Sequence, residues 1–454
     1  MADFSHFWNI YVLRMCEVGR TVPKRYSQVL YLERLRILSM SKTKEVVYNT
    51  FGNIISLFCQ WLIILLIPKI SNFEEAGVFT VAVSVASILY FIASLALRDH
   101  QVSDQNRRFS PKDYTTLRII TVAVSFICII PIQLLFDYTI YQLLVIIGYV
   151  AYRNVLNFAY LYAASLQIDS RLDYVGKYTA LEGVISFVSF LAAYMVTNDL
   201  AISVFLMAFI GGGSYLLILR RGYVRYIDPE VRSRPLTKSH LRILVLIGIP
   251  LMFASLVPTV INALPKLLLQ NMYGDAMAGM YGTLSAPIIV IPTLIAALFS
   301  PFITYFSNIV RSEDFPLFKK NYVKCNVYIL LFGAVIVILS VFLQRPAFQL
   351  LYGHSVDQFV DYFAYLVAAI VFYSMGMVSA IALVTKNQWK YSAEACLAAL
   401  IFSLIINVLM IRSSGFEGAT FALVLSYLVY AVLNILVTYF VPLTSNDYDH
   451  MDVE

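Results

Sequence analysis

The sequence predicts an all-α polytopic membrane protein, with twelve transmembrane helices in two pseudo-symmetric six-helix lobes around a central cleft. Three observations predict it. The first is composition: of 454 residues, 60% are hydrophobic and 13% charged, with a mean hydropathy of +0.76, whereas soluble domains run at roughly 45–50% apolar and about 25% charged. The second is the placement of basic residues around the apolar runs. The third is an internal repeat of about half the chain's length.

The apolar residues gather into runs of about 20 with almost no charge, the length that crosses a bilayer as a helix. They lie near 46–68, 75–97, 117–136, 140–164, 177–197, 200–219, 243–264, 278–300, 322–343, 358–383, 391–411 and 417–441. Lipid offers no partner to backbone amides and carbonyls, so each run is read as a helix, which closes its own hydrogen bonds. With both termini cytoplasmic, 28 of the 33 lysines and arginines fall in the inner segments 1–45, 98–118, 171–177, 220–242, 311–324 and 386–390. Lys69, Lys266, Arg345 and Arg412 fall on the outer side, and Arg153 lies within a span. Cytoplasmic flanks concentrate positive charge, and one missed or invented span would destroy the asymmetry. The same bias accounts for the net charge of +6. It favours anionic membrane lipids as the neighbour, and no nucleic acid is expected.

Residues 1–40 precede the first run as a cytoplasmic N-terminal extension, mixed polar and aromatic, without a signal-peptide core. "MSKTKEVVYNTFGNII" from Met40 has the form of a natural start, so the extension is either an amphipathic cytoplasmic segment or not native. Spans 1–6 form an N-lobe over 41–219. The longest inner loop, "RRGYVRYIDPEVRSRPLTKSH" at 220–240, is the cytoplasmic linker that divides the spans six and six. Spans 7–12 form a C-lobe over 241–441, and 442–454 form an acidic cytoplasmic tail. No outer loop exceeds about 15 residues, which leaves no exposed domain for chemistry.

The repeat lies in two corners. "IPKISNFEEAGVF" at 67–79 and "LPKLLLQNMYGDAMAGMY" at 264–281 both run Pro-Lys, a polar stretch, Ala-Gly and an aromatic. Pro68 and Pro265 are 197 apart and Ala76 and Ala278 are 202 apart, so the second copy carries five extra residues. "KYTALEG" at span 5 and "KYSAEA" at span 11 echo each other at offsets of 213 for the lysines and 212 for Glu182 and Glu394. An even number of spans per half gives a parallel repeat about an axis along the membrane normal. Pro-Lys then ends spans 1 and 7, which puts Lys69 and Lys266 at the outer mouth on opposite sides of that axis.

"RDHQVSDQNRRFSPKDYTTLRIIT" at 98–121 resembles the R-x-x-Q-x-S-D and following Y-x-x-x-R pattern of polysaccharide transporters. These belong to the multidrug/oligosaccharidyl-lipid/polysaccharide flippase superfamily and include O-antigen and capsule-unit flippases. "LPK…AGMYGTLSAPIIVIP" is similar to the same family's corner between spans 7 and 8, and the likeness covers about 40–441. The resemblance implies a substrate of repeat-unit oligosaccharide on undecaprenyl pyrophosphate, moved from the inner to the outer leaflet of a bacterial cytoplasmic membrane by alternating access. It also implies glycan polymerase and glycosyltransferases of the same pathway as partners. The chain departs from the pattern at "LEG" (181–183), where Glu182 replaces an expected basic or neutral residue.

No enzyme motif stands out. The five histidines are scattered without metal-ligand spacing, the five cysteines fall in spans or on the inner side, and there is no P-loop. No cofactor is expected. "GGG" at 211–213 reads as close helix packing. Arg153 is the sharpest polar feature. A central arginine costs at least ~2.5–3.5 kcal/mol in a bilayer, so it faces a wet cavity or a partner. It either meets the pyrophosphate of the implied substrate, with Asn154 and Asn157 beside it, or pairs with Glu182. Arg98 at the end of span 2 is a head-group anchor or a first cytoplasmic contact for pyrophosphate, and Lys69 and Lys266 are candidates at the outer mouth. Glu182 and Glu394 could exchange protons for coupling or serve as ion pairs with Lys177 and Lys390. The alternatives to a lipid-linked oligosaccharide flippase are a multidrug or metabolite exporter of the same architecture, or a membrane glycan polymerase, for which the outer loops are too short.

Overall fold

The computed structural model describes residues 24–104, 107–292, 295, 309, 314–386 and 388–441, and the described chain is helical without strands. Among the described residues, ten helices are long and apolar enough to cross a membrane. Spans 1 to 6 are Lys44–Ile70, Phe73–Ser94, Pro111–Phe136, Ile140–Ile168, Leu172–Thr197 and Leu200–Tyr226, and span 7 is Lys238–Tyr273. Span 8 opens as Asp275–Ser285 and tightens into a 3-10 turn at Ala286–Ile289. Spans 9 and 10 are Phe315–Tyr352 and Asp357–Leu383. The last stretch, Lys390–Phe440, has 51 residues, and a straight helix of that length would reach about 75 Å, over twice the hydrocarbon core. It folds back instead. Gly415 takes φ 53° and ψ −120°, a conformation open to glycine, and Asn407 donates to Ser426 Oγ at 3.3 Å across the reversal. Its two arms are spans 11 and 12, which completes twelve. The tail 442–454 and residues 1–23 of the extension lie outside the described residues. The helix of span 1 starts at Lys24 and passes Met40 unbroken.

Local sequence sets the span boundaries. Asn72 accepts the Glu75 amide at 2.8 Å to start span 2, and Ser110–Asp113 and Thr139–Gln142 form capping boxes at spans 3 and 4. Span 2 stops at Ser94 because Leu95 and Ala96 turn left-handed, with φ 44° and 50°. A non-glycine residue pays about 1–2 kcal/mol for that conformation, so the surroundings must hold it. Gly211 packs against Ser186, where an added Cβ would lie 2.1 Å from Oγ, so this part of the "GGG" run is a close helix contact.

Two apolar cores confirm the two lobes. One is built almost wholly from spans 1–6, around Phe79, Val145, Leu156 and Val204. The other is built from spans 7–12, around Tyr281, Tyr322, Leu366 and Leu423. At the end of the bundle that holds the 220–240 loop the lobes share span 7. Its early residue Leu244 packs with Leu95, Leu97, Phe109, Tyr114 and Leu117 of the N-lobe. Asp113 accepts the Thr237 amide and faces His240 Nδ1, both at 2.9 Å.

At the outer end the repeated corners meet each other. A Cβ on Gly77 would lie 1.9 Å from the Asp275 carbonyl oxygen, and one on Gly279 would lie 1.9 Å from that of Phe73. Phe73 matches Asp275 and Gly77 matches Gly279 at the same offset of 202, so the contact is self-complementary about the pseudo-two-fold axis, as in an isologous interface. Small residues permit such backbone approach. Gln142 Nε2 of span 4 donates to both Asp275 carboxylate oxygens, at 2.9 and 2.8 Å, and so ties the lobes a second time. Lys69 Nζ sits 5.9 Å from the Tyr352 ring centroid and ties them a third. These contacts hold the lobes together at the end of the bundle where the repeated corners lie.

Reporter fusions are expected to place the 220–240 loop in the cytoplasm and residues 69–74 and 344–356 outside. An external 220–240 loop would contradict the positive-inside orientation.

Candidate functional site

Between the lobes lies a cavity of about 410 Å³. Its N-lobe wall presents Gln60, Trp61, Ser84, Ser87, Tyr149 and Arg153, and its C-lobe wall presents Thr259, Asn262, Lys266, Ser285, Tyr373 and Tyr427. No carboxylate is among the described residues that line it. Apolar residues, among them Ile64, Val83, Ile288 and Ile370, supply most of the wall, and the polar, aromatic and cationic groups are set among them.

Arg153 lies on span 4 with its guanidinium over the Tyr90 ring, 4.3 Å from the centroid. It makes no ion pair among the described residues, and its Nε is buried without a hydrogen-bond partner. The ring supports the flat face of the guanidinium, an arrangement worth up to ~2 kcal/mol when desolvated, and leaves its remaining donors for the cavity.

Lys266 corrects a sequence expectation. It does not sit at the outer mouth with Lys69 but lines the cavity. The five extra residues of the second corner are the cause. Span 1 ends at Ile70, one residue past Lys69, whereas span 7 continues to Tyr273. At 1.5 Å per residue, Lys266 is drawn about 9 Å deeper than its counterpart. Lys69 is exposed and faces Tyr352.

Arg98 sits beyond the break in span 2, 5.3 Å from the Tyr160 ring centroid, with its Nε buried and unpartnered. Tyr160 follows Arg153 by two helical turns, about 10 Å along span 4. Two guanidiniums without an ion pair among the described residues, each against a tyrosine ring, therefore lie in sequence from the broken end of span 2 toward the cavity.

Asn154 and Asn157 are not beside Arg153 at the cavity. Asn154 is 4% exposed and donates to Ser125 Oγ at 3.0 Å. Asn157 is 1% exposed, lies 3.4 Å from Arg118 Nη1, and donates to the Tyr90 carbonyl at 3.4 Å. Helical spacing had put Arg153 and Asn157 on one face, but Tyr90 of span 2 and Arg118 of span 3 cover the second of them.

The two glutamates part company. Glu182 is 3% exposed and accepts hydrogen bonds from Tyr152 Oη at 2.5 Å, Ser186 Oγ at 2.8 Å and Ser56 Oγ at 3.1 Å. It pairs neither with Arg153 nor with Lys177, whose partner is Asp173 at 3.9 Å. Three hydroxyls from spans 1, 4 and 5 satisfy it. Glu394 is exposed and heads the outward-facing stripe of Leu397, Ile401 and Ile405. The true counterpart of Glu182 at the lysine offset of 213 is buried Ala395. The one-residue slip in the echo rotates Glu394 about 100° around its helix, out of the C-lobe interior. Glu182→Leu is expected to leave the three hydroxyls unsatisfied at ~1–3 kcal/mol each and to lower the thermal midpoint of the purified protein. Glu182→Gln keeps an acceptor and should lose much less.

Several cavity residues escaped the sequence reading. Thr259 and Asn262 are two of them, and with Lys266 they recur at i, i+3 and i+7 within an apolar run, a polar stripe on one face of span 7 that periodicity could have revealed. Gln142 and Asp275 carried no such signal, since their meeting depends on the lobe arrangement. Among the described residues, no group of three or more His, Cys, Asp or Glu could hold a metal ion.

No family model matches the chain. A capsular polysaccharide biosynthesis protein, CapF of Staphylococcus aureus, is 21% identical over 388 residues, covering 85% of this chain and 96% of that protein. Among solved structures, an inward-facing multidrug resistance MATE family transporter of the MOP superfamily matches with a TM-score of 0.62 and 11% identity, over 87% of this chain and 93% of its own. An outward-facing transporter of that description gives 0.58 and 13%, over 88% and 94%. The eukaryotic MATE transporter AtDTX14 gives 0.60 and 13%, over 88% and 96%. The chain thus shares the twelve-span, two-lobed fold of these MATE transporters, and its sequence is similar to that of a capsular polysaccharide biosynthesis protein.

Proposed function

We propose that the protein translocates a lipid-linked, pyrophosphate-bearing oligosaccharide from the inner to the outer leaflet, for export of a surface polysaccharide. One observation supports the reading: the inter-lobe cavity holds an arginine from one lobe, without an ion pair among the described residues, and a lysine from the other, and no carboxylate is among the described residues that line it. A buried cation without a counter-charge is costly, and an anionic cargo supplies the counter-charge transiently. Serines, threonine and amides suit sugar hydroxyls, and Trp61, Tyr149, Tyr373 and Tyr427 offer faces to sugar rings. The polyprenyl tail would stay in lipid while the head group occupies the cleft. With the membrane negative inside, each negative charge moved outward gains about 2.3 kcal/mol per 100 mV, so export is favoured without a nucleotide.

A second reading is a multidrug or metabolite exporter, favoured by the fold likeness to MATE transporters. An organic cation as cargo would call for acidic lining, and the acid nearest in kind, Glu182, is sealed behind Tyr152. The test is glycan export in a strain lacking its own flippase, normalised to membrane-inserted protein, beside efflux of organic cations in the same cells. Restored export supports the first reading. Cation efflux without restored export supports the second.

A further inference from the structure

The stretch 98–121 that carries the sequence likeness contains residues with no place in the cavity. Gln101, Asp104, Tyr114 and Arg118 all brace the broken end of span 2. Gln101 Nε2 donates to Ser165 Oγ at 2.9 Å, the Tyr114 hydroxyl bonds His100 Nδ1 at 3.0 Å, and Asp104 accepts the amides of Arg108 and Phe109 at 2.9 and 3.0 Å. Arg118 acts on the break itself. The Ala93 carbonyl, in the last turn of span 2, accepts Arg118 Nη1 at 2.6 Å and Thr121 Oγ1 at 2.7 Å. Through the longer 3.4 Å contacts of Asn157, the same guanidinium also reaches the Tyr90 carbonyl.

Arg118 is fully buried, and its Nε and Nη2 have no partner. Burying a guanidinium with donors unsatisfied is unfavourable, and an apolar residue of similar volume would pack a lobe interior at lower cost. What it gives in return is placement. The turn that it clamps carries Tyr90, whose ring underlies Arg153, and leads through Leu95 and Ala96 to Arg98 on Tyr160. We infer that Arg118 is a positioning residue for the anion-binding wall: it never touches the cargo, and it fixes the end of span 2 so that Arg153 and Arg98 present their free donors to a pyrophosphate. The inference rests on the anionic reading of the cavity.

The probe is inorganic pyrophosphate, followed by the fluorescence of Trp61 in purified full-length protein whose other two tryptophans, Trp8 and Trp389, are changed to phenylalanine. Arg118→Gln should weaken binding about tenfold, and Arg118→Lys should recover part of it. Adding Arg118→Gln to Arg153→Ala should cost clearly less than the sum of the two single losses, because only the effect of Arg118 on Arg98 is then left to lose. Thr121→Val removes the second donor to Ala93 with little change of volume, and should weaken binding in the same direction even where Arg118→Gln fails to fold. A spin label at Phe91→Cys, in a cysteine-free background, should gain mobility in Arg118→Gln and in Thr121→Val. Additive losses in the double variant, or an unchanged label in both single variants, would overturn the inference. Native protein that does not bind pyrophosphate would instead refute the anionic cavity, and the label at residue 91 would then decide the role of Arg118 alone.

Discussion

Changing Arg153 and Lys266 together to alanine is expected to reduce glycan export to background while membrane-inserted protein stays at native levels. The two cations reach the cavity from opposite lobes, so each single variant leaves the other lobe's contact intact. A hydrogen bond to a charged group contributes ~1.5–3 kcal/mol, and 1.4 kcal/mol is a factor of ten, so each single loss should fall between about tenfold and a hundredfold. Arg153→Lys should retain partial activity, since it keeps the charge but gives up the planar guanidinium that lies over Tyr90. Arg153→Glu should be worse than alanine because it repels pyrophosphate. Glu182 already takes three hydroxyl donors, so Glu182→Gln should not rescue Arg153→Ala. A rescue accompanied by restored abundance would make Arg153 a structural residue.

The second large effect concerns the outer seal. Gly279→Val should push spans 2 and 8 apart at their outer ends, because its Cβ would be driven into the Phe73 carbonyl oxygen. Overpacking costs typically ~1–3 kcal/mol, which corresponds to about a tenfold to hundredfold shift away from the closed-mouth state. Labels at Lys69→Cys and Tyr352→Cys, whose side chains face each other in this structure, should read longer distances in the variant, and export should fall because the mouth no longer reseals. Gly77→Val should behave alike, since the contact is pseudo-symmetric. Unchanged distances together with normal export would remove the corner from the gating surface.

The spans were legible in the sequence because lipid forces backbone satisfaction within each segment and leaves long uncharged runs as a trace. The lobes were legible because duplication preserved Pro-Lys and Ala-Gly. What escaped depended on small offsets or on contacts between lobes. Five added residues lowered Lys266 into the cavity, and a one-residue slip turned Glu394 outward and left Ala395 in the place of Glu182. Arg118 counted among the basic residues of the inner flank, yet it lies two turns inside span 3 and is fully buried. Ala-Gly was visible as the start of spans 2 and 8, but that the two glycines face each other's corners follows only from the folded lobes. Asn154 and Asn157 had the right spacing to join Arg153 and the wrong neighbours, since span 2 and span 3 cover them.

We propose that the cleft carries an anionic, lipid-linked cargo outward. The most direct test uses purified protein in vesicles loaded with a polyprenyl-pyrophosphate oligosaccharide, scored by the lipid that becomes accessible to an external lectin. The account predicts saturable translocation that an inside-negative potential accelerates, that Arg153→Glu stops, and that excess organic cation leaves unaffected. Vesicles that extrude an organic cation but leave the oligosaccharide on its original leaflet would contradict it.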